Sequence, residues 1–216
     1  MSSPTRTDLV RALLDAHGTT YAAEAGIRLK DTPSPLFRLL VLANLLSARI
    51  DAGIAVASAR ALSSAGMRTP KAMAEATWQE RVDALGEGGY RRYDERTATM
   101  LGDTAELVQE RWRGDLRRMH GSADDVQGLR RLLEEVPGIG PTGSAIYCRE
   151  VQGVRPEVAP FLDDRVLDGA RAVGLPDDAD ALAGLVSPDD LPRLAAACTR
   201  VTLDDGAADR VRDAAA

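Results

Sequence analysis

Two stretches of the chain carry residue types and spacings that can do chemistry. The first is Pro137-Gly138-Ile139-Gly140-Pro141, between two apolar stretches that read as helices. Its glycines allow positive φ and hence a tight hairpin. Small residues, Thr142-Gly143-Ser144-Ala145, then open the next helix. The unpaired N–H groups of such a turn, together with the helix dipole, form a neutral cradle for phosphate. The second stretch is the pair Asp163-Asp164, which precedes a further helical pattern. Taken alone, either carboxylate reads as the N-cap of that helix.

The rest of the composition is more restrained. Acidic residues outnumber basic ones, 33 to 27, for a net charge of −6. The strongly basic footprint of many nucleic-acid binders is absent, although backbone N–H groups can hold phosphates without one. Lys30 and Lys71 are the only lysines, so nearly all positive charge is arginine. His17 and His120 are isolated and predict surface or cap roles, not metal ligation. The acidic run Asp177-Asp178-Ala179-Asp180 lacks the glycine and distal glutamate of a calcium loop and reads as a helix start. Cys148 and Cys198 are too few for a disulfide framework or a four-cysteine site. Cys148 predicts a small buried apolar side chain.

Positioning these groups falls to helices. Apolar residues recur at helical spacing almost throughout, and no stretch alternates with period two for long. The pattern predicts a helix capped by Thr7 or Asp8 and ending near His17. It predicts a connection over 22–35, then a very apolar helix over 35–48 capped by Ser34. Further helices are predicted from Asp51 to about Gly66, over 69–75 and 77–85, and over a long span from about 93 to 119. Ser122 begins the helix that leads to the hairpin. After it come helices through Cys148 to Val151, then over 164–173, 178–185 and 188–202. The fold class is all-α, with about ten or more helices. At 216 residues this is one globular unit or two small lobes. No apolar run reaches 18 residues, which argues against a transmembrane helix. The N-terminus lacks the apolar core and cleavage site of a secretion signal.

The segment Leu132-Leu133-Glu134-Glu135-Val136-Pro137-Gly138-Ile139-Gly140 resembles the helix-hairpin-helix of the HhH-GPD superfamily of base-excision DNA glycosylases. A Gly/Pro-rich loop, Gly153 to Pro160, leads to Phe161-Leu162-Asp163-Asp164, which is similar to the string around that family's essential aspartate. Asp163 and Asp164 stand 23 and 24 positions after Gly140. Upstream, Leu45-Leu46-Ser47-Ala48-Arg49-Ile50-Asp51 resembles a stretch of the endonuclease III branch, and Gly88-Gly89-Tyr90 resembles its Gly-aromatic turn. The resemblance spans roughly residues 35–174.

It implies a DNA-repair enzyme that flips a damaged or mispaired base and hydrolyses its N-glycosidic bond with aspartate assistance. One comparison of the Asp pair favours Asp163, through Leu-Asp-Asp-Arg-Val. The other, through Phe-Leu-Asp-Asp of the alkylation-repair branch, favours Asp164, and is preferred. DNA contacts are implied for Gly138, Ile139, Gly140, Thr142, Gly143 and Ser144. Arg49 would fill the gap left by the base, or Ile50 would act as an apolar wedge. Tyr147 would approach the base pocket, with a core role as the alternative. Where the family's lyase-active members carry a Schiff-base lysine, this chain has Thr142, which cannot form an imine. The resemblance therefore implies a monofunctional glycosylase without β-lyase activity. The alternative is a non-catalytic helix-hairpin-helix protein binding abasic or distorted DNA. A third reading is a helical interaction domain that keeps the hairpin for packing.

The cysteines of the family's iron–sulfur motif are missing, so no cluster is expected; a monovalent cation at the hairpin carbonyls stays open. Partners would be double-stranded DNA with a damaged base or an abasic site, with the protein monomeric and cytoplasmic. The implied layout is a lobe over 35–133 and a second lobe of 1–34 plus 134–216, bridged by the hairpin region at about 122–151. DNA would lie across the cleft, with the hairpin on one lip and Arg49 on the other.

Overall fold

The computed structural model describes residues 4–91 and 93–216, so Met1, Ser2, Ser3 and Arg92 lie outside the described residues. Among these, the chain is all-α: helices and two short 3-10 turns, with no strand. No helix is long and apolar enough to cross a membrane. The chain divides into two compact units, Met1–Tyr21 with Cys148–Ala216, and Ala22–Tyr147. The boundaries therefore fall at 21/22 and 147/148, and not at 34/35 and 133/134. The turn at 137–141 lies in the second of these units, where Val136, Ile139 and Tyr147 are buried, and the boundary cuts the helix that follows it.

That unit is built on α3 (Pro33–Ser47), in which Leu36, Phe37, Leu39, Leu40, Leu42 and Leu45 are almost fully buried. A helix that is apolar on all sides has to be enclosed. It packs on α4 (Ala52–Ser64) and on α8 (Leu116–Gly121). Around them lie α5 (Pro70–Glu75), α6 (Trp78–Glu87) and α7 (Asp94–Trp112). Helix α9 (Val126–Glu134) leads into the hairpin and α10 (Pro141–Val151) leaves it; the unit boundary falls inside α10.

The other unit packs α1 (Arg6–His17) against α13 (Leu191–Val201) and α14 (Ala207–Ala215). Helix α11 (Asp164–Val173) lies on α13 and α14. Its Gly169 permits the approach: a Cβ there would stand 2.0 Å from the Cys198 carbonyl oxygen. Leu13, Val166, Val173, Leu194 and Cys198 form a fully buried core.

Several boundaries differ from the sequence expectation, each for a local reason. Thr5 caps α1 through a reciprocal bond with Asp8. Thr32 precedes α3, while Ser34 donates its hydroxyl to the Arg68 carbonyl. The long helix expected over 93–119 breaks after Trp112, where Arg113 and Gly114 both take positive φ. Asp115 then caps α8. Ser122 ends α8 instead of starting a helix, and Asp125 caps α9. A single turn, α2 (Tyr21–Glu24), interrupts the expected connection over 22–35.

Candidate functional site

The hairpin begins as α9 runs out. Val136 N–H donates to the Leu133 carbonyl and Ile139 N–H to the Val136 carbonyl, each at 3.0 Å. Gly138 sits at φ +79°, and a Cβ there would come within 2.1 Å of Met100 Sδ and 2.6 Å of Asn44 Nδ2. Two polar side chains pin the turn to the core of its unit. Asn44 Nδ2 donates to the Pro137 carbonyl at 2.9 Å, and Thr104 Oγ1 donates to the same oxygen at 3.2 Å. Neither was singled out from the sequence. The available signal was Asn44 itself, a lone amide inside the apolar run of α3 that had to find a partner.

Beyond the turn, Ser144 N–H closes the first helical bond of α10 onto the Gly140 carbonyl. The N–H groups of Gly138, Gly140, Thr142 and Gly143 donate to no carbonyl among the described residues. Gly143 is buried, while Gly138, Gly140 and Thr142 keep open surface, so these three donors at the start of a helix suit an anion. Thr142 is exposed.

Two hairpin residues are placed differently from the expectation that they face DNA. The Ile139 side chain is buried and its N–H is spent on the turn, because its branched chain fills the unit's core. Ser144 is fully buried. Its hydroxyl donates to Glu134 Oε1 at 2.7 Å and accepts from Arg130 Nε at 3.2 Å, tying α10 back to α9. The first neighbours a Cβ at Gly143 would meet belong to the Ile139 side chain, so this buried glycine serves close packing.

Arg49 and Ile50 follow the end of α3. Arg49 is exposed and joins no ion pair among the described residues; Ile50 is half-buried. The loop starts against the hairpin, with Ser47 Oγ 3.5 Å from the Gly138 carbonyl oxygen. Arg49 and the hairpin thus stand on the same unit and side by side, not on opposite lips. The reason is the pinning of the turn by Asn44 and Ser47, one turn apart on α3.

Tyr147 lies in the core of its unit. It is fully buried, its hydroxyl 3.0 Å from His120 Nε2, with the two rings edge-on at 5.7 Å. His120 is correspondingly buried and not a surface or cap residue, because the phenol gives its ring nitrogen a partner inside the core.

In the other unit the aspartate pair separates into two environments. Asp163 caps α11, its Oδ1 accepting from Val166 N–H at 3.4 Å, and its Oδ2 lies 3.4 Å from Arg149 Nη2. Asp164 is exposed in the first turn, with no ion pair among the described residues. Arg149 is 8% exposed and also donates to Thr199 Oγ1 at 3.1 Å. Burial pushes its guanidinium below the usual arginine range, and the Asp163 carboxylate opposes that shift. The buried Gln152 fixes the loop ahead of the pair: it accepts from Phe161 N–H at 2.8 Å and donates to the Phe161 carbonyl at 3.2 Å. Arg149 and Gln152 were not singled out from the sequence; an arginine and a glutamine at the buried end of an apolar helix were the signal.

No group of histidine, cysteine, aspartate or glutamate suited to a metal ion occurs among the described residues. Both cysteines are buried, and burial pushes the Cys198 thiol up to about 12.

No family model and no curated protein matches this sequence. Among solved structures, the chain is similar to endonuclease III captured as a trapped covalent intermediate with DNA, an estranged-adenine complex. The identity is 16% and the TM-score 0.49, with 90% of this chain and 85% of that one covered.

Proposed function

We propose that this protein binds duplex DNA through the Gly138–Gly143 hairpin and acts as a monofunctional DNA glycosylase. The observation that carries the reading is the hairpin: a positive-φ turn pinned by Asn44 and Thr104, with the N–H groups of Gly138, Gly140 and Thr142 bound to no carbonyl at the start of α10. It belongs with the sequence order around it, from Leu45-Leu46-Ser47-Ala48-Arg49 to Asp163-Asp164. Backbone donors grip a phosphate without adding charge, which suits a chain of net charge −6.

Base removal passes through an oxocarbenium-like sugar. A fixed carboxylate stabilises that cation and takes the proton of the attacking water. We assign this role to Asp163 over Asp164. Its oxygens are held by Val166 N–H and Arg149, so its position costs nothing further at the moment of reaction. Thr142 at the lysine position provides no amine, so hydrolysis and not imine chemistry follows. Arg49, exposed beside the hairpin, is the group that enters the stack when a base leaves it.

The test is single-turnover incubation with duplexes each carrying one lesion, read with and without alkali. Strand breaks only after alkali support the reading. Asp163→Asn should then lose about 100-fold or more in base release while keeping DNA binding, and Asp164→Asn should stay within a few-fold. Breaks without alkali overturn the argument from Thr142. A non-catalytic protein that binds abasic or distorted DNA is the second reading. The Arg149–Asp163 pair favours it, because a carboxylate already matched by a guanidinium has less charge to offer a cation. Tight binding to an abasic duplex with no base release from any lesion would decide for that reading.

A further inference from the structure

A pocket of about 380 Å³ lies wholly within the unit that carries the hairpin, between α3, the start of α7 and Gly138. That volume is in the range of small-molecule sites. Asn44 is 3% exposed and lines it. Its Nδ2 is committed to the Pro137 carbonyl, which fixes the amide's orientation and leaves Oδ1 without a donor. A buried acceptor left unmet is costly; Oδ1 has almost no surface open to solvent, so an N–H group that wedges into the pocket floor and meets it removes that cost.

The remaining walls specify more. Tyr90 and Thr97 are buried and bonded to each other at 3.1 Å, and Met100 and Tyr93 add a thioether and a ring. Aromatic and thioether groups favour a flat ring. Among the described residues Arg96 is the sole charged residue of the lining; it is exposed and joins no ion pair there. The ligand these groups describe is planar, carries an N–H donor and bears a negative charge.

We propose that this pocket binds a nucleotide, its base donating to Asn44 Oδ1 and its phosphate meeting Arg96. Two sources share that chemistry: a free nucleotide, and an unstacked nucleotide of a bound DNA strand. Only the second rests on the function proposed above.

The experiment uses the full chain and NMR of the Asn44 side-chain amide, titrated with deoxyadenosine monophosphate. The signal should shift saturably. The N6,N6-dimethyl analogue, which lacks the N–H donor, should bind about 10-fold more weakly. Ala48→Trp fills the pocket from its rim and should abolish the shift. Arg96→Gln, at an exposed position, should weaken the monophosphate and leave deoxyadenosine unchanged. It keeps the test alive if the tryptophan disturbs folding. A second arm adds a duplex with one unpaired 2-aminopurine, whose fluorescence should change on binding to the wild type and not to Ala48→Trp. A shift with the monophosphate and no response to the duplex assigns the pocket to free nucleotides. No Asn44 shift, with duplex fluorescence identical in both proteins, overturns the pocket but leaves the glycosylase reading standing. Failure to bind any duplex, with the monophosphate shift present, does the reverse.

Discussion

Asp163 and Asp164 are neighbours in sequence and have different physical lives. A carboxylate that caps a helix and faces a buried guanidinium is fixed in place, whereas one on the first exposed turn samples its rotamers in water. Arg149 is the residue whose removal tests this. Arg149→Met should lower stability by about 2 kcal/mol, discounted from the cost of breaking a fully buried pair because Asp163 is partly solvated. Arg149→Lys should recover part of the loss, and urea midpoints of the three proteins measure both. Cys198 provides an independent residue-scale check on burial. With its thiol pushed up to about 12, it should resist alkylation at pH 8 in the native protein and react once the chain is unfolded in denaturant.

At the scale of elements, the hairpin makes opposite predictions for its two glycines. Gly138 holds φ +79° and faces Met100 and Asn44, so Gly138→Ala should cost about 2 kcal/mol or more and disturb the whole turn. Gly140 has open space where a Cβ would go. Gly140→Ala should change stability by less than about 0.5 kcal/mol in a thermal melt. On the proposed reading its DNA affinity should nonetheless fall, because the methyl group would stand where the bound phosphate approaches the backbone. Unchanged affinity would mean the hairpin exists for packing alone. Gly169→Ala makes a third element-scale test. Its Cβ would strike the Cys198 carbonyl at 2.0 Å, forcing α11 from α13 at a cost of about 1–3 kcal/mol.

For the molecule as a whole, the charge balance predicts how binding responds to salt. Each phosphate neutralised by a cationic side chain adds about 0.9 to the slope of log affinity against log salt. Backbone donors add none. With Arg49 and Arg96 exposed near the hairpin and in no ion pair among the described residues, the slope should be shallow, corresponding to about two or three phosphates, by fluorescence anisotropy across a salt series. A steep slope would point to an arginine face instead of the hairpin. The same measurement on Arg49→Ala should reduce the slope by about one phosphate's worth.

The sequence by itself determined the all-α class and the hairpin turn, because these depend on periodicity and on glycine. Helix ends were legible less well. Thr5 and Asp125 won their caps over neighbours that also carry capping side chains, a choice made by a few ångströms of local geometry. What only tertiary structure decided was partnership. Ile139 and Ser144 turned inward, Tyr147 found His120 in the core, and Arg149 chose Asp163 over its neighbour. Asn44, an unremarked polar residue in an apolar run, became the pin of the hairpin. In each case the deciding cost was a buried polar group or an unfilled core space, and both depend on which residues distant in sequence arrive beside it.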